Sequence, residues 1–237
     1  MSTTTGTLPR VRGSRLTKTY GETAALGDVT VEIGDGESVA VMGPSGSGKT
    51  TLLHLLAGIV PPDIGEVVLR TDAGPVSIGA LDDDARSALR LREFGFVFQQ
   101  GLLLPELTAV ENVSLPLLLD GATRGAAESS ARGLLASLGV EGLGERRIGQ
   151  LSGGQAQRVA IARAVIGDAQ VVFADEPTGA LDSITASDVL DLLLSLTAHR
   201  GRALVLVTHD ESVAARCSRV VRMKDGRVVT DRAESRP

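Results

Sequence analysis

Ser38-Val39-Ala40-Val41-Met42-Gly43-Pro44-Ser45-Gly46-Ser47-Gly48-Lys49-Thr50 sets an apolar run, a glycine-rich turn and a basic-hydroxyl pair in unbroken succession. The run from Ser38 to Met42 reads as a buried strand, and Thr51-Leu-Leu-His-Leu-Leu-Ala57 continues as a helix that stops at Gly58, with Pro61-Pro62 beyond. Strand, glycine loop and helix, in that order, are the context a phosphate-binding loop needs. The glycines let successive backbone N–H groups approach phosphate oxygens. Lys49 is placed to reach the β and γ phosphates of a nucleotide, and the Thr50 hydroxyl suits magnesium. A plain glycine-rich turn with an exposed lysine accounts for the spacing but not for the flanking strand and helix.

A second anion site lies further along the chain. Leu151-Ser152-Gly153-Gly154-Gln155 runs into Gln157-Arg158-Val159-Ala160-Ile161-Ala162-Arg163-Ala164. Ser152 is a good N-cap, and the apolar positions after it recur at helical spacing. Free N–H groups and the dipole favour negative charge at such a helix start. Two sites of this kind in one chain suggest that both grip the same nucleotide, from opposite sides of a dimer. Arg158 reads as a support for the local fold.

Val171-Val-Phe-Ala-Asp175 and Ala203-Leu-Val-Leu-Val207 are near-continuous apolar runs, as in parallel strands covered on both faces, with Ser187 to Leu196 as the crossover helix. Asp175 is followed directly by Glu176. Alternation along an extended backbone sends neighbouring side chains apart, so one carboxylate can serve a metal and the next can face water. His209 ends the following strand in Val207-Thr208-His209-Asp210, and Phe94-Gly-Phe-Val-Phe98 is a strand broken by Gln99-Gln100-Gly101. Arg12 to Glu37 suggests antiparallel strands, Glu66–Leu69 and Val76–Ile78 another short β region, and Leu102 to Ala164 is mainly helical, with loops at 120–125 and 139–149. A closing hairpin turns at Lys224-Asp225-Gly226-Arg227.

The 237 residues suffice for one substantial core, and 43% hydrophobic against 22% charged residues mark a globular chain. No run approaches the roughly 18 apolar residues of a membrane span. The Thr-rich start lacks a signal pattern. A net charge of −5 argues against a general nucleic-acid binder, so no nucleic-acid partner is expected. The single cysteine, Cys217, excludes an internal disulfide and reads as small apolar filler.

Taken together, the motifs resemble those of the ATP-binding cassette (ABC) ATPases, over nearly the whole chain. The resemblance implies an α/β fold: a P-loop NTPase core with a mostly parallel sheet, an antiparallel β subdomain and an α-helical subdomain at about 100–165. It implies one domain over 8–230, with 1–7 and 231–237 as flexible ends. ATP is then the substrate and Mg2+ the cofactor. Gly43, Pro44, Ser45, Gly46, Ser47, Gly48, Lys49 and Thr50 would cradle the phosphates, and Thr51 would add a hydroxyl near the α phosphate. Tyr20 would stack on adenine, an ordinary core tyrosine being the alternative. Magnesium would be held by Thr50, Gln99 and, through water, Asp175, with Gln100 as a competitor for the glutamine's role. Glu176 would be the catalytic base or water-positioning group, and His209 would contact the γ phosphate. From a partner protomer, Ser152, Gly153, Gly154 and Gln155 would complete the site. The loop Ala180-Leu181-Asp182 would cross the dimer interface, with Ala180 where many relatives have Ser.

Gly95 to Gln99, Leu102-Leu-Leu-Pro105, Glu106-Leu-Thr108, Glu111-Asn112-Val113 and Leu115-Pro116-Leu117 are similar to the subgroup that works with permeases of the FtsX/MacB type. Its members serve lipoprotein release, macrolide export, cell division and antimicrobial-peptide resistance. The segment from Thr208 to Val220 leans towards the peptide-resistance branch. This resemblance implies a second copy and a multi-span permease as partners, a place at the cytoplasmic face of the membrane, and export or extraction of a peptide, lipid-linked or drug-like substrate. Alternatives are a cell-division-type ATPase that transmits force without cargo, and a soluble ABC protein of repair, translation or iron–sulfur assembly. A phosphate-loop kinase would leave Leu151–Gln155 without a task.

Overall fold

The computed structural model describes residues 8–99 and 102–233, excepting the side chain of Ala233. Gln100 lies outside the described residues, as do 1–7 and 234–237 of the ends expected to be flexible at 1–7 and 231–237; residues 231–233 belong to the last strand. The chain opens with β1 (Val11–Tyr20) and β2 (Thr23–Ile33), then β3 (Ser38–Met42), α1 (Lys49–Leu56), β4 (Ile64–Thr71), β5 (Gly74–Ser77), α2 (Asp83–Glu93) and β6 (Phe94–Phe98). Three helices follow: α3 (Ala109–Leu119), α4 (Arg124–Ser137) and α5 (Gly153–Val165). The remainder is β7 (Val171–Asp175), α6 (Ser183–Leu196), β8 (Ala203–Val207), α7 (Glu211–Ala214), β9 (Arg219–Lys224) and β10 (Arg227–Ala233).

Two sheets organise these elements. The larger has the order β10-β9-β3-β8-β7-β6, with β9, β3, β8, β7 and β6 parallel and β10 an antiparallel edge. The smaller is antiparallel, β2-β1-β4-β5. Apolar residues cover both faces of the larger sheet, and period-2 alternation divides them. Val171, Phe173, Val205 and Val207 pack with α1 and the smaller sheet, whereas Val172, Ala174, Leu204 and Leu206 pack with α3 to α6. This double coverage explains why β7 and β8 read as continuous apolar runs.

All four phenylalanines gather on β6 and β7. Phe94 meets Phe173 edge-on at 5.2 Å between centroids, and Phe96 stacks on Phe173 at 5.9 Å and on Phe98 at 6.0 Å. Such pairs contribute about 0.5–1.5 kcal/mol each beyond their burial. They stiffen the strand that delivers Gln99.

The residues of the permease-like stretch hold their own local structure. Thr108 caps α3 by accepting from the Glu111 N–H, and Glu111 Oε2 accepts the Thr108 N–H at 2.9 Å, which closes a capping box. Asn112, fully buried, accepts the Leu104 N–H at 2.8 Å and donates to the carbonyls of Leu104 and Thr108, both at 3.0 Å. The loop from Leu104 to Thr108 is thereby stapled to α3.

Several boundaries differ from the sequence reading. Helix α6 begins at Ser183, four residues before Ser187, because Asp182 accepts the N–H groups of Ile184 and Thr185 and starts the helix there. The sequence reading does not include helix α2: its apolar stripe is short, Ala85, Ala88 and the partly buried Leu89 within a mostly charged stretch, although Asp82 caps it and Arg90 and Arg92 close it. Strand β8 ends at Val207, two residues before His209. The hairpin joining β9 and β10 turns at Asp225-Gly226 as expected. Cys217 is buried beside Ala40, Met42, Ala214 and Val220, as filler should be.

Candidate functional site

The loop after β3 and the start of α1 form one wall of a cavity of about 530 Å3. Gly43, Pro44, Ser45, Gly46, Gly48, Lys49, Thr50 and Thr51 line it from this side. Gly48 is the N-cap of α1 at φ 95°, a left-handed conformation that glycine adopts without strain, and the N-terminal N–H groups of the helix are thereby free for an anion. Lys49 Nζ donates to the carbonyls of Gly43 and Pro44, both at 2.8 Å, which places the ammonium within the loop's curve. Ser47 is buried, and its hydroxyl has no hydrogen-bond partner among the described residues.

Opposite stand the ends of β7 and β8, paired in register at Asp175 and Val207. Asp175 accepts the Thr50 hydroxyl at 3.2 Å, and burial raises its pKa above the ordinary carboxylate value despite that hydrogen bond. Glu176 follows the strand rather than continuing it. Its φ of 47° is left-handed, and its N–H donates to the Val207 carbonyl at 3.0 Å. Simple strand alternation therefore does not separate the two carboxylates, as the sequence reading expected. A strained turn does so, and Asp175 and Glu176 both face the cavity. His209 lines the same wall, with Nδ1 2.8 Å from Glu176 Oε1. That hydrogen bond, and the carboxylate charge behind it, raise the imidazole pKa.

The residues expected at the nucleotide divide into two groups. Those from Gly43 to Thr51, with Asp175, Glu176 and His209, converge on one cavity, Ser47 lying just behind its wall. Tyr20, Gln99 and Ser152 to Gln155 are not among its walls. Tyr20 ends β1 half exposed, with Lys18 Nζ 5.7 Å from its ring centre, and so is not a core tyrosine. The exposed Gln99 rests against Gly179 in the turn that follows Glu176.

Ser152 caps α5 and forms a capping box with Gln155: its hydroxyl accepts the Gln155 N–H, and its own N–H donates to Gln155 Oε1 at 3.0 Å. Ser152 and Gly153 are exposed, and this helix start is not among the walls of the chain's own cavity. The Ala180–Asp182 loop packs beside it, Leu181 lying against Gly153.

Some wall residues carried no signal in the sequence. Thr23, Ala24 and Ala25, at the start of β2, close the cavity from the smaller sheet. Being small and chemically ordinary, they are visible only once the strands are placed. A second, mostly apolar cavity of about 480 Å3 lies between β6 and the helical region, lined by Ile59, Phe96, Phe98, Leu102, Pro116, Leu119 and Arg163 among others.

The ABC transporter family model matches residues 26–179, which include the phosphate loop, Asp175, Glu176 and the start of α5. The chain belongs to the ABC transporter family. It is an ATPase of that family, which uses ATP with magnesium. A lipoprotein-releasing system ATP-binding protein, LolD of Chromohalobacter salexigens, is 46% identical over 91% of this chain and 91% of its own length. A macrolide export ATP-binding/permease protein, MacB of Hyphomonas neptunium, is 45% identical over 95% of this chain. This chain spans 35% of that relative's length. Among solved structures, the dimeric post-hydrolysis state of the ATP-binding cassette MJ0796 bound to ADP and Pi superposes with a TM-score of 0.86 at 40% identity, covering 96% of this chain and 100% of that one. The family match, the relatives and the superposition agree with the expected fold class and place the chain in the MacB/LolD-like group. Among the described residues, no helix is long and apolar enough to cross a membrane.

Proposed function

We propose that the chain is the ATP-hydrolysing part of a transporter, that it closes as a dimer around two Mg-ATP molecules, and that it drives a permease of the FtsX/MacB type. The observation that carries this reading is the split site. One cavity collects the phosphate loop, Asp175, Glu176 and His209, while the anion-favouring start of α5 lies outside its walls. An isologous dimer brings each α5 start to the other copy's cavity. Support comes from MJ0796, whose own structure is described as dimeric. Residues 8–230 then act as one domain, with a helical subdomain from about 100 to 165.

Within each site the backbone N–H groups of Gly43–Gly48 and the Lys49 ammonium hold the phosphates, and Thr51 adds a hydroxyl at the α phosphate. Thr50 and Asp175 present two hard oxygen donors side by side, and the half-buried Asp175 carboxylate gains from a cation, so this pair suits magnesium. Gln99, which stands outside the cavity's walls, is the third residue assigned to the metal. A magnesium ion held there would neutralise phosphate charge. Glu176 takes the proton of the attacking water or orients that water, and His209 fixes the Glu176 carboxylate and donates to the γ phosphate. Ser152, Gly153 and Gly154 donate from the partner copy. Gln155 serves them through the capping box, Tyr20 stacks on adenine, and the Ala180–Asp182 loop meets the partner copy.

The groove between β6 and the helical region, with exposed Ile59, Leu102 and Leu119 at its rim, suits an apolar helix from the permease. MacB and LolD as relatives favour export or extraction of a drug-like, peptide or lipid-linked substrate at the cytoplasmic face of the membrane. Co-expression with an FtsX/MacB-type permease tests the partner. A complex that survives purification and is lost in Leu119→Glu supports the reading, whereas a tight nucleic-acid complex in its place overturns it.

A further inference from the structure

Glycines Gly153 and Gly154 open α5, and the side chains nearest to them belong to α6 and the loop before it. A Cβ on Gly154 would stand 2.5 Å from Thr185 Cγ2, and one on Gly153 would stand 3.3 Å from Leu181 Cδ2. The first separation is shorter than real Cβ contacts allow. Thr185 is not free to turn away. Its hydroxyl donates to Asp182 Oδ2 at 2.7 Å, and its N–H donates to Asp182 Oδ1 at 3.0 Å. A β-branched side chain held at its hydroxyl has its methyl direction fixed as well.

The same contacts run back to the cavity. Gly179 N–H donates to the Glu176 carbonyl and Leu181 N–H to the Thr178 carbonyl, each at 3.1 Å, so two successive turns lead from Glu176 to the Asp182 cap. One short path joins the carboxylate at this chain's cavity to the start of α5.

We propose that Thr185 is a positioning residue for ATP turnover: anchored to Asp182, its methyl group sets how closely the start of α5 lies against the loop that follows Glu176. This rests on the reading that α5 acts at the partner's nucleotide. Thr185 touches no nucleotide itself. It keeps two parts of two different sites in one rigid body, and so links closure at one ATP to the geometry at the other.

The test is a pair of substitutions and their combination in the full chain. Gly154→Ala should push α5 off Thr185, lowering turnover at saturating ATP at least tenfold while ATP binding to the single protomer stays within twofold. Thr185→Ser removes the methyl and keeps the hydroxyl, and should lower turnover two- to fivefold. The Gly154→Ala/Thr185→Ser double variant should then turn over at the Thr185→Ser rate, since the added methyl fills the space vacated. A double variant as slow as Gly154→Ala alone, or Gly154→Ala at the parental rate, overturns the proposal. If Gly154→Ala fails to fold, Thr185→Val decides. Keeping the shape without the Asp182 bond, it should lower turnover at least fivefold with ATP binding unchanged, and parental turnover overturns the role. Ser152→Arg separates this from the reading beneath it: if that variant hydrolyses ATP normally, α5 is not at the partner's nucleotide at all.

Discussion

His209 Nδ1 and Glu176 Oε1 stand 2.8 Å apart, across the gap between the ends of two neighbouring parallel strands. Both residues sit just past their strands, where side chains of a parallel sheet reach a ligand at its carboxyl edge. The Glu176 carboxylate raises the His209 pKa through this hydrogen bond. Titration of His209 by NMR should give a pKa above the ordinary value of about 6.5, falling towards it in Glu176→Gln. Protonated His209 favours the folded state. That contribution is complete below about pH 6.5 and is lost as the pH rises through the raised pKa. An unshifted His209 would show that the contact does not persist in solution.

Glu176→Gln removes the group placed to take a proton from water and leaves the phosphate loop untouched. Turnover should fall at least a hundredfold, while ATP with magnesium converts the protein to a dimer on size exclusion. Parental turnover in this variant removes Glu176 from the chemistry.

Asn112 makes its contacts in full burial, so Asn112→Ala strands the Leu104 N–H and frees the loop from Leu104 to Thr108. The expected loss is about 2–3 kcal/mol of stability in a urea melt. A loss below about 0.5 kcal/mol would mean the loop is held by other contacts.

Burial pushes the Cys217 thiol up to about 11. At pH 8 the native protein should react with an aromatic disulfide reagent at least a hundredfold more slowly than the urea-unfolded chain, because the thiolate is the reactive form. Reaction of native protein at the unfolded rate would contradict the packing around Ala40 and Val220.

Residues whose chemistry needs a spacing were legible in the sequence. The strand, glycine loop and helix from Ser38 to Ala57, and the doubly covered strands β7 and β8, follow from pattern alone, and the family resemblance assigned roles to Asp175, Glu176 and His209. Features set by geometry were not legible. The left-handed turn at Glu176 carries no glycine to announce it, since its strain is held by the Val207 carbonyl. Helix α2 has only a short apolar stripe around Leu89, and Thr23 to Ala25 are ordinary small residues. Thr185 acquires meaning only beside Gly154, about thirty positions earlier in the chain and in contact in space. The stretch from Thr108 to Asn112 resembles a permease-coupling segment in sequence, and its side chains build a capping box and a loop staple.

The central claim, that each site is completed by a second copy, is tested most directly by mixing two variants that are inactive alone. Lys49→Ala cripples the phosphate loop, and Ser152→Arg blocks the start of α5. In a mixed dimer, one cavity pairs the intact phosphate loop of the second variant with the intact α5 of the first. With random pairing half of the dimers are mixed and each has one intact site, so an equimolar mixture should regain up to about a quarter of the parental rate per chain, the full quarter only where one site turns over without the other. A mixture no faster than its separate components would contradict the two-copy site.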